Sequence, residues 1–553
     1  MKKIIIGLLF LISVLSTLFA QAQSTNQNSG GKLTPEQAAY DVKFYDINLK
    51  IDTTDHAIGG YVIVRAEIVN PIDKLVLNLD SVLNVDMVEL INDKGGSSDL
   101  PFVHENDTLT VKFSKVYAKG TTVNVKISYA GIPRVAKLPP WDDGFVWSHT
   151  KSGASWITVT SEGSGADIWW PCKDHPSDEP DSVALHFTYP QSLVCASNGR
   201  LRGVTNNNDG TATAYWFVST PINNYNVCFY LAPYKTIEYS YKSISGDTIP
   251  FIIYVLPESY EKAKAHTPQF LDLMKFMEEY CGPYPFRIDK CGVAEAPHLG
   301  MEHQTIIAYG YGWRNHKDYA FDWLFAHEFS HEWWGNLVTC DDWNGYWIHE
   351  SFGTYMQPLY LEWRFGKDQY FSYMQSIKMF QNKIPVAPRK SMTTNEIYSN
   401  DIYYKGAWIL HTLRHYLGDE VFFKALRRLA YPDPAMEKIK TGAQCRLTNT
   451  DEVMHLIEKV SGKKLDWYFE VYLRNAELPV LNAEIKDNKL LLTWQTKDNL
   501  PFPLPVDVKL GGDIVKVDMN NNHGEVDIPA GVTPVVDPDS WLTIDRVHFP
   551  ETK

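Results

Sequence analysis

At His327-Glu328-Phe329-Ser330-His331 the chain carries two imidazoles four residues apart, with a carboxylate directly after the first. On a helix, positions i and i+4 lie one above the other on the same face, at about 1.5 Å of rise per residue. Imidazoles so placed can each turn a nitrogen toward one metal ion at about 2.0–2.1 Å. Glu328 can then hang beside the ion and take a proton from the water it activates. A third ligand must come from elsewhere, and eighteen residues separate His331 from Glu350 in Trp347-Ile348-His349-Glu350-Ser351-Phe352-Gly353. Two neutral imidazoles and one carboxylate leave the fourth position of a tetrahedron open. That is the pattern of a catalytic rather than a structural zinc, one ion per chain. With 17 histidines in 553 residues, a chance match to this spacing is uncommon.

The elements that must hold these groups are also legible. The flanks 319–326 and 332–338 contain no proline, and Phe321, Leu324, Phe325 and Trp333 fall at helical spacing, which predicts one continuous helix through the motif. The gap to Glu350 leaves room for turns at Gly335-Asn336 and Asp341-Asp342 and for a second helix bearing Glu350. Upstream, alternation as in Val42-Phe44-Ile47-Leu49-Ile51 and Tyr61-Ile63-Arg65-Glu67 predicts a large β-rich domain ending near Pro233. From about residue 240 helical patterns take over: 260–280, 368–380, 404–417, 451–456 and 465–473, with a strand at 289–295. From Leu478 short alternating segments return and predict a small β-sandwich. The expected layout is a signal peptide at 1–22, a disordered lead-in at 23–39, an N-terminal β-domain at 40–236, a catalytic domain at 237–476 and a β-sandwich at 477–553. The fold class is multidomain α+β.

Bulk properties narrow the partners. Net charge is −14, and −16 once Lys2 and Lys3 leave with the leader. No basic block offsets it, so nucleic acid is excluded as a partner. Lys2-Lys3, the apolar run from Ile4 to Phe19 and the small-x-small Ala20-Gln21-Ala22 read as a cleavable export signal. No later stretch is apolar enough for a membrane span in the mature chain, and Gln23 stands where a lipoprotein needs cysteine. The expectation is an exported protein, periplasmic or extracellular and of bacterial type. Seven cysteines are an odd number, and none forms a CxxC pair. Cys281 and Cys291 flank Gly282-Pro283-Tyr284-Pro285 and could bridge; burial as free thiols is the favoured reading.

His327–Asn336 (HEFSHEWWGN), the downstream WIHESFG, Gly300-Met301-Glu302-His303 and Tyr403-Tyr404-Lys405-Gly406 occur together and in this order. With these motifs the chain resembles the zinc aminopeptidase family of aminopeptidase N and leukotriene A hydrolase, from about residue 40 to its end. The resemblance implies a thermolysin-like, mostly helical catalytic domain. It also implies removal of N-terminal residues from peptides with a free N-terminus, with Glu328 as general base and Tyr403 over the scissile carbonyl. It places Gly300 and Met301 on a strand edge that binds substrate backbone, and Glu302 and Glu162 on the substrate's α-ammonium. His303 stands where the family has asparagine, and His303 and His349 are expected to be packing neighbours. The α-helical C-terminal domain of many members has no counterpart in the expected layout. Alternatives on the same residues are an epoxide hydrolase, an endopeptidase, or a peptide-binding protein without catalysis.

Overall fold

The computed structural model describes residues 28–92 and 95–549; the expected leader and residues 23–27 of the lead-in lie outside them. An eight-stranded sheet opens the architecture, in the order Arg200–Asn206, Thr211–Val218, Ser182–Pro190, Tyr40–Asp52, Ala57–Ile68, Thr122–Gly131, Leu83–Ile91, Ser97–Asp99. Only the pair of Tyr40–Asp52 with Ser182–Pro190 is parallel. Tyr40, Val42, Tyr45, Ile47, Leu49 and Ile51 are the buried residues of the Tyr40–Asp52 strand. The alternation slips once, where pairing with Ala57–Ile68 shifts register between Val42 and Phe44. A bulge adds one residue and moves the side chains that follow to the other face, so Tyr45 takes the core place expected of Phe44.

Two smaller sheets complete this region. One joins Val194–Ser197, Phe229–Ala232, Ser155–Thr160 and Gly144–His149; the other joins Ile72–Asn78, Thr108–Tyr117 and Phe102–Glu105. The Ser155–Thr160 strand, buried over its last four residues, delivers the loop that carries Glu162.

Part of the lead-in departs from expectation. Residues 28–39 are ordered: Gln37–Ala39 form a 3-10 turn, Ser29 is buried, and Gly30 forms a β-bridge with Thr393. A polar, glycine-containing stretch carries no hydrophobic period, so its sequence cannot report that its backbone groups find partners on distant loops.

The next region is built on a five-stranded sheet ordered Lys235–Lys242, Thr248–Val255, Cys291–Glu295, Ile307–Tyr309, Gly300–Met301. Gly300–Met301 is its edge strand, antiparallel to Ile307–Tyr309. Two helices, Tyr260–His266 and Pro268–Cys281, replace the single one expected at 260–280. Pro268 has no N–H to give the preceding turn and instead starts the second helix.

The helix of the HExxH motif spans only Trp323–Ser330. The Asp322 side chain accepts from the Phe325 N–H at 3.0 Å and fixes its start. Beyond His331 the predicted helix at 332–338 does not form. The N–H groups of Asn336, Leu337 and Val338 reach back five residues to the carbonyls of His331, Glu332 and Trp333, at 2.9, 3.2 and 3.0 Å. Gly335 sits at φ 133, which ends helical geometry. The chain then enters the short strand Val338–Cys340, parallel to Arg446–Thr448, before the long helix Trp347–Phe365.

Two further sheets form the C-terminal β-unit. One holds His523–Asp527, Lys489–Gln495, Val480–Lys486 and Val547–His548; the other holds Asp513–Val517, Val506–Leu510 and Val535–Val536. The loop before its last strand docks on the Tyr404–Leu417 helix. Trp541 stacks on His411 at 4.5 Å and on His415 at 4.8 Å, and the Thr412 hydroxyl donates to the Trp541 carbonyl at 2.7 Å. All seven cysteines are free thiols. Among the described residues no helix is long and apolar enough to cross a membrane.

Candidate active site

A cleft of about 1020 Å³ is lined by Glu162, Gly300, Met301, Glu302, His327, Glu328, Glu350 and Tyr403, while His331 is buried beside it. The Trp323–Ser330 helix and the Trp347–Phe365 helix form one wall, and their contact brings three donor atoms together. His327 Nε2 lies 3.3 Å from His331 Nε2 and 3.3 Å from Glu350 Oε2, while His331 Nε2 lies 3.6 Å from that same oxygen. Four donors at 2.0–2.1 Å around a tetrahedral ion stand about 3.3 Å apart, so the triangle has the size of one face of a zinc site. The His331 Nδ1–H donates to the Trp334 carbonyl at 2.8 Å, which leaves the Nε2 lone pair facing inward. Glu350 Oε2 is buried with no hydrogen-bond donor. Lone pairs confronting one another in a buried place are repulsive unless a cation lies between them, so the donor set fits a divalent metal ion.

Small residues set these approaches. A Cβ on Gly353 would stand 3.0 Å from His331 Cε1 and Nε2, and one on Gly300 would stand 2.5 Å from Glu328 Oε1. Glycine at these positions lets a helix pass the metal-facing imidazole and lets the edge strand lie against the Glu328 carboxylate. A Cβ on Gly406 would fall 1.6 Å from Ser351 Oγ. That contact between the Glu350 helix and the Tyr404–Leu417 helix carries Tyr403 to the metal corner. The Tyr403 ring lies 5.9 Å from that of His327. Its neighbour Tyr404 also lines the cleft, with its ring 6.4 Å from that of Tyr403.

A second corner lies beside the first. Ligand oxygens of Glu162, Glu302 and Glu350 all fall within 4.8 Å of one another. Tyr225 donates its hydroxyl to Glu302 Oε1 at 2.9 Å. The loop behind Glu302 is held from several sides. Asn336 Nδ2 donates to the Glu302 carbonyl at 3.0 Å, Asn226 Oδ1 accepts from the Gln304 N–H at 2.9 Å, and Glu332 accepts from the Thr305 N–H at 2.8 Å. The Glu162 loop is fixed by Asp143, which accepts from the Ser164 N–H at 2.5 Å, and by Asp174, which accepts from the Ala166 N–H at 3.0 Å.

The electrostatics of the two corners follow from this crowding. Burial, then the charges of Glu302 and Glu350, push the Glu162 carboxyl well above the usual range. The same causes push Glu328 up. Burial drives His327 down to about 4, leaving a neutral imidazole suited to ligation. Cationic side chains on the lining, Arg314 and Lys317, belong to the loop before the HExxH helix. The deep end is therefore an anionic pocket that calls for positive charge.

His303 and His349 are buried packing neighbours. His303 Nδ1 meets the Tyr230 hydroxyl at 2.5 Å, and His349 Nε2 accepts from the Cys340 N–H at 2.9 Å. Sequence reasoning gave no role to Tyr225, Asn226, Asn336, Tyr346 or Asp143. Asn336 stands inside the quoted HEFSHEWWGN and was open to such a reading; the others carry no local signal.

The profile of the peptidase family M1 domain matches residues 269–472, and that of the peptidase M1 N-terminal domain matches residues 42–225. Aminopeptidase 2 of Candida albicans is 22% identical over 449 residues, covering 75% of this chain and 46% of that protein. Aminopeptidase M1 of Arabidopsis thaliana is 24% identical over 481 residues, covering 81% and 52%. The chain thus spans about half the length of these curated relatives. An M1 zinc metallopeptidase from Deinococcus radiodurans, solved as a mutant with a Tyr-Ser-Ala substrate, shares the fold. Its TM-score is 0.66 at 22% identity, covering 83% of this chain and 99% of that one. Two M1 profiles in their expected order, on a fold of this kind and around a His-His-Glu donor set, make this chain a member of the M1 peptidase family.

Proposed function

We propose that the protein is a zinc-dependent aminopeptidase that removes N-terminal residues from peptides. The observation that carries this reading is the three-carboxylate corner of Glu162, Glu302 and Glu350 directly beside the His327-His331-Glu350 donor set. A buried anionic pocket next to a hydrolytic centre suits a substrate whose charged α-ammonium lies one residue from the bond to be cut. Charge-assisted hydrogen bonds offset the cost of burying that ammonium.

His327, His331 and Glu350 would hold the zinc, which when bound polarises a carbonyl and lowers the pKa of water toward about 7. Glu328 takes the proton from the attacking water and later passes it to the leaving amine. The Tyr403 hydroxyl donates a hydrogen bond to the oxygen on which negative charge develops. Gly300 and Met301 present an unpaired strand edge to the extended substrate backbone. Glu302 and Glu162 grip the α-ammonium and so set the register of cleavage. This anchoring favours an exopeptidase over an endopeptidase. The export signal read from the first 22 residues makes the periplasm or the extracellular space its place of work.

The test is a panel of aminoacyl-p-nitroanilides with and without a chelator, run beside N-acetylated peptides. Chelator-sensitive release from free-amine substrates alone supports the proposal. Equal cleavage of N-acetylated peptides would make the protein an endopeptidase, and zinc binding without hydrolysis of either would leave a peptide-binding role.

A further inference from the structure

The segment 28–31, expected to be disordered, instead threads between the loop of Glu162 and the loop at 392–394. The Ser29 N–H donates to the Gly163 carbonyl at 3.2 Å, the Thr394 N–H to the Ser29 carbonyl at 3.2 Å, and the Gly31 N–H to the Met392 carbonyl at 3.0 Å. The Thr394 hydroxyl also donates to the Gly163 carbonyl. His175 Nε2 meets the Gly31 carbonyl at 2.9 Å. Gly163 is the residue directly after Glu162, so this segment grips the backbone next to the carboxylate.

Trp343 joins the segment to the rest of the amine corner. Its Nε1–H donates to Ser29 Oγ at 3.1 Å. Its ring lies 5.9 Å from that of Tyr225, the hydroxyl donor to Glu302, and 4.8 Å from that of Tyr346, which lines the cleft with Glu162. Gly30 makes this seat possible: it sits at φ 79, and a Cβ there would fall 2.2 Å from Trp343 Cδ1. A strand laid over an indole with no room for a side chain, ending on the loop of one acidic residue and on the partners of another, is a built contact.

We propose that residues Ser29–Gly31 form a strap that positions Glu162 and, through Trp343, Tyr225 and Tyr346, sets the site's preference for substrates with a free α-amine. Ser29, Gly30 and Trp343 are positioning residues; none of them lines the cleft. This inference rests on the aminopeptidase reading, in which Glu162 and Glu302 bind the ammonium.

The test uses the full chain loaded with zinc and isothermal titration calorimetry with two probes that differ only in the amine: L-leucine hydroxamate and 4-methylpentanoyl hydroxamate. Their affinity ratio reports the amine corner, while the desamino probe alone reports the rest of the site. Gly30→Val is expected to lower the ratio on the order of tenfold, as misplacing a binding group by a fraction of an ångström does, and to leave the desamino affinity unchanged. Ser29→Ala and Trp343→Phe, which each remove one hydrogen bond without adding bulk, should lower it by about threefold to tenfold. A ratio unchanged in all three variants would overturn the strap; an equal fall in both affinities would show a general structural role and overturn it too. Glu302→Gln is the control for the underlying reading. If that substitution leaves the ratio untouched, the amine corner itself is wrong; if it collapses the ratio while the strap variants do not, only the strap is wrong.

Discussion

The metal corner and the amine corner share Glu350, yet they are assembled in opposite ways. His327, Glu328 and His331 come from one helix of eight residues and the turn after it, and Glu350 comes from the next helix. The amine corner draws Glu162 from a loop of the N-terminal sheets, Glu302 from the end of an edge strand, and their supports from Tyr225, Asn336 and Tyr346. One is fixed by local helix geometry and two glycines that allow close approach. The other depends on two regions of the chain staying in register with each other. Damage to the first should abolish chemistry, whereas damage to the second should blur which substrate is chosen.

The largest effect should follow from Glu328→Gln. Zinc content by atomic absorption should stay at one per chain, and kcat should fall about 10²–10⁴-fold through loss of the general base. Next, Glu302→Gln should lower kcat/KM on aminoacyl-p-nitroanilides about 30- to 1000-fold. Losing one partner of a buried charged hydrogen bond costs about 2–4 kcal/mol. Affinity for 4-methylpentanoyl hydroxamate, which lacks the amine, should not change, and a parallel loss on this probe would erase the distinction between the corners. Gly353→Ala sharpens the metal side. Its Cβ would stand 3.0 Å from His331 Nε2, so the imidazole must shift by tenths of an ångström. Zinc affinity measured against a competing chelator should drop about 10- to 100-fold, with the free-amine preference intact.

The smallest effect concerns stability. Burial pushes Asp143 up to about 6, against the hydrogen bonds it accepts from the Ser164 and Gly163 N–H groups. A carboxyl whose folded pKa lies above its unfolded value near 3.8 disfavours folding once charged. The penalty is fully present above pH 6 and is relieved as pH falls from about 6 toward 3.8. Asp143→Asn, which can still accept those hydrogen bonds, should therefore stabilise the protein by about 1–3 kcal/mol at pH 8 and by little at pH 4, read by urea unfolding. Stabilisation of equal size at both pH values would deny the buried charge.

The legibility of the molecule follows the same division. The Tyr404–Leu417 helix agrees with the pattern read at 404–417, and the Glu350 helix with the room left after the motif, although both are buried nearly all round rather than on one face. The stretch at 332–338 misled because Trp333, Trp334, Leu337 and Val338 are all buried, so hydrophobicity alone does not distinguish a helix from the wide turn that Gly335 allows. Phe44 misled because a bulge changes the phase of a strand without any composition signal. The lead-in misled because its order comes from backbone partners on other loops.

By itself the sequence singled out His327, His331 and Glu350 as a candidate donor set, with Glu328 beside it, because that reading depends on residue type at helical spacing. Only the tertiary structure decided how far apart the donors stand, that Tyr403 packs beside the His327 ring, and that Glu162 meets Glu302 across 140 residues of chain. The physical reason is range. Helix periodicity is a local property of the backbone, whereas an anionic pocket exists only where the packing of distant elements holds like charges together against their repulsion.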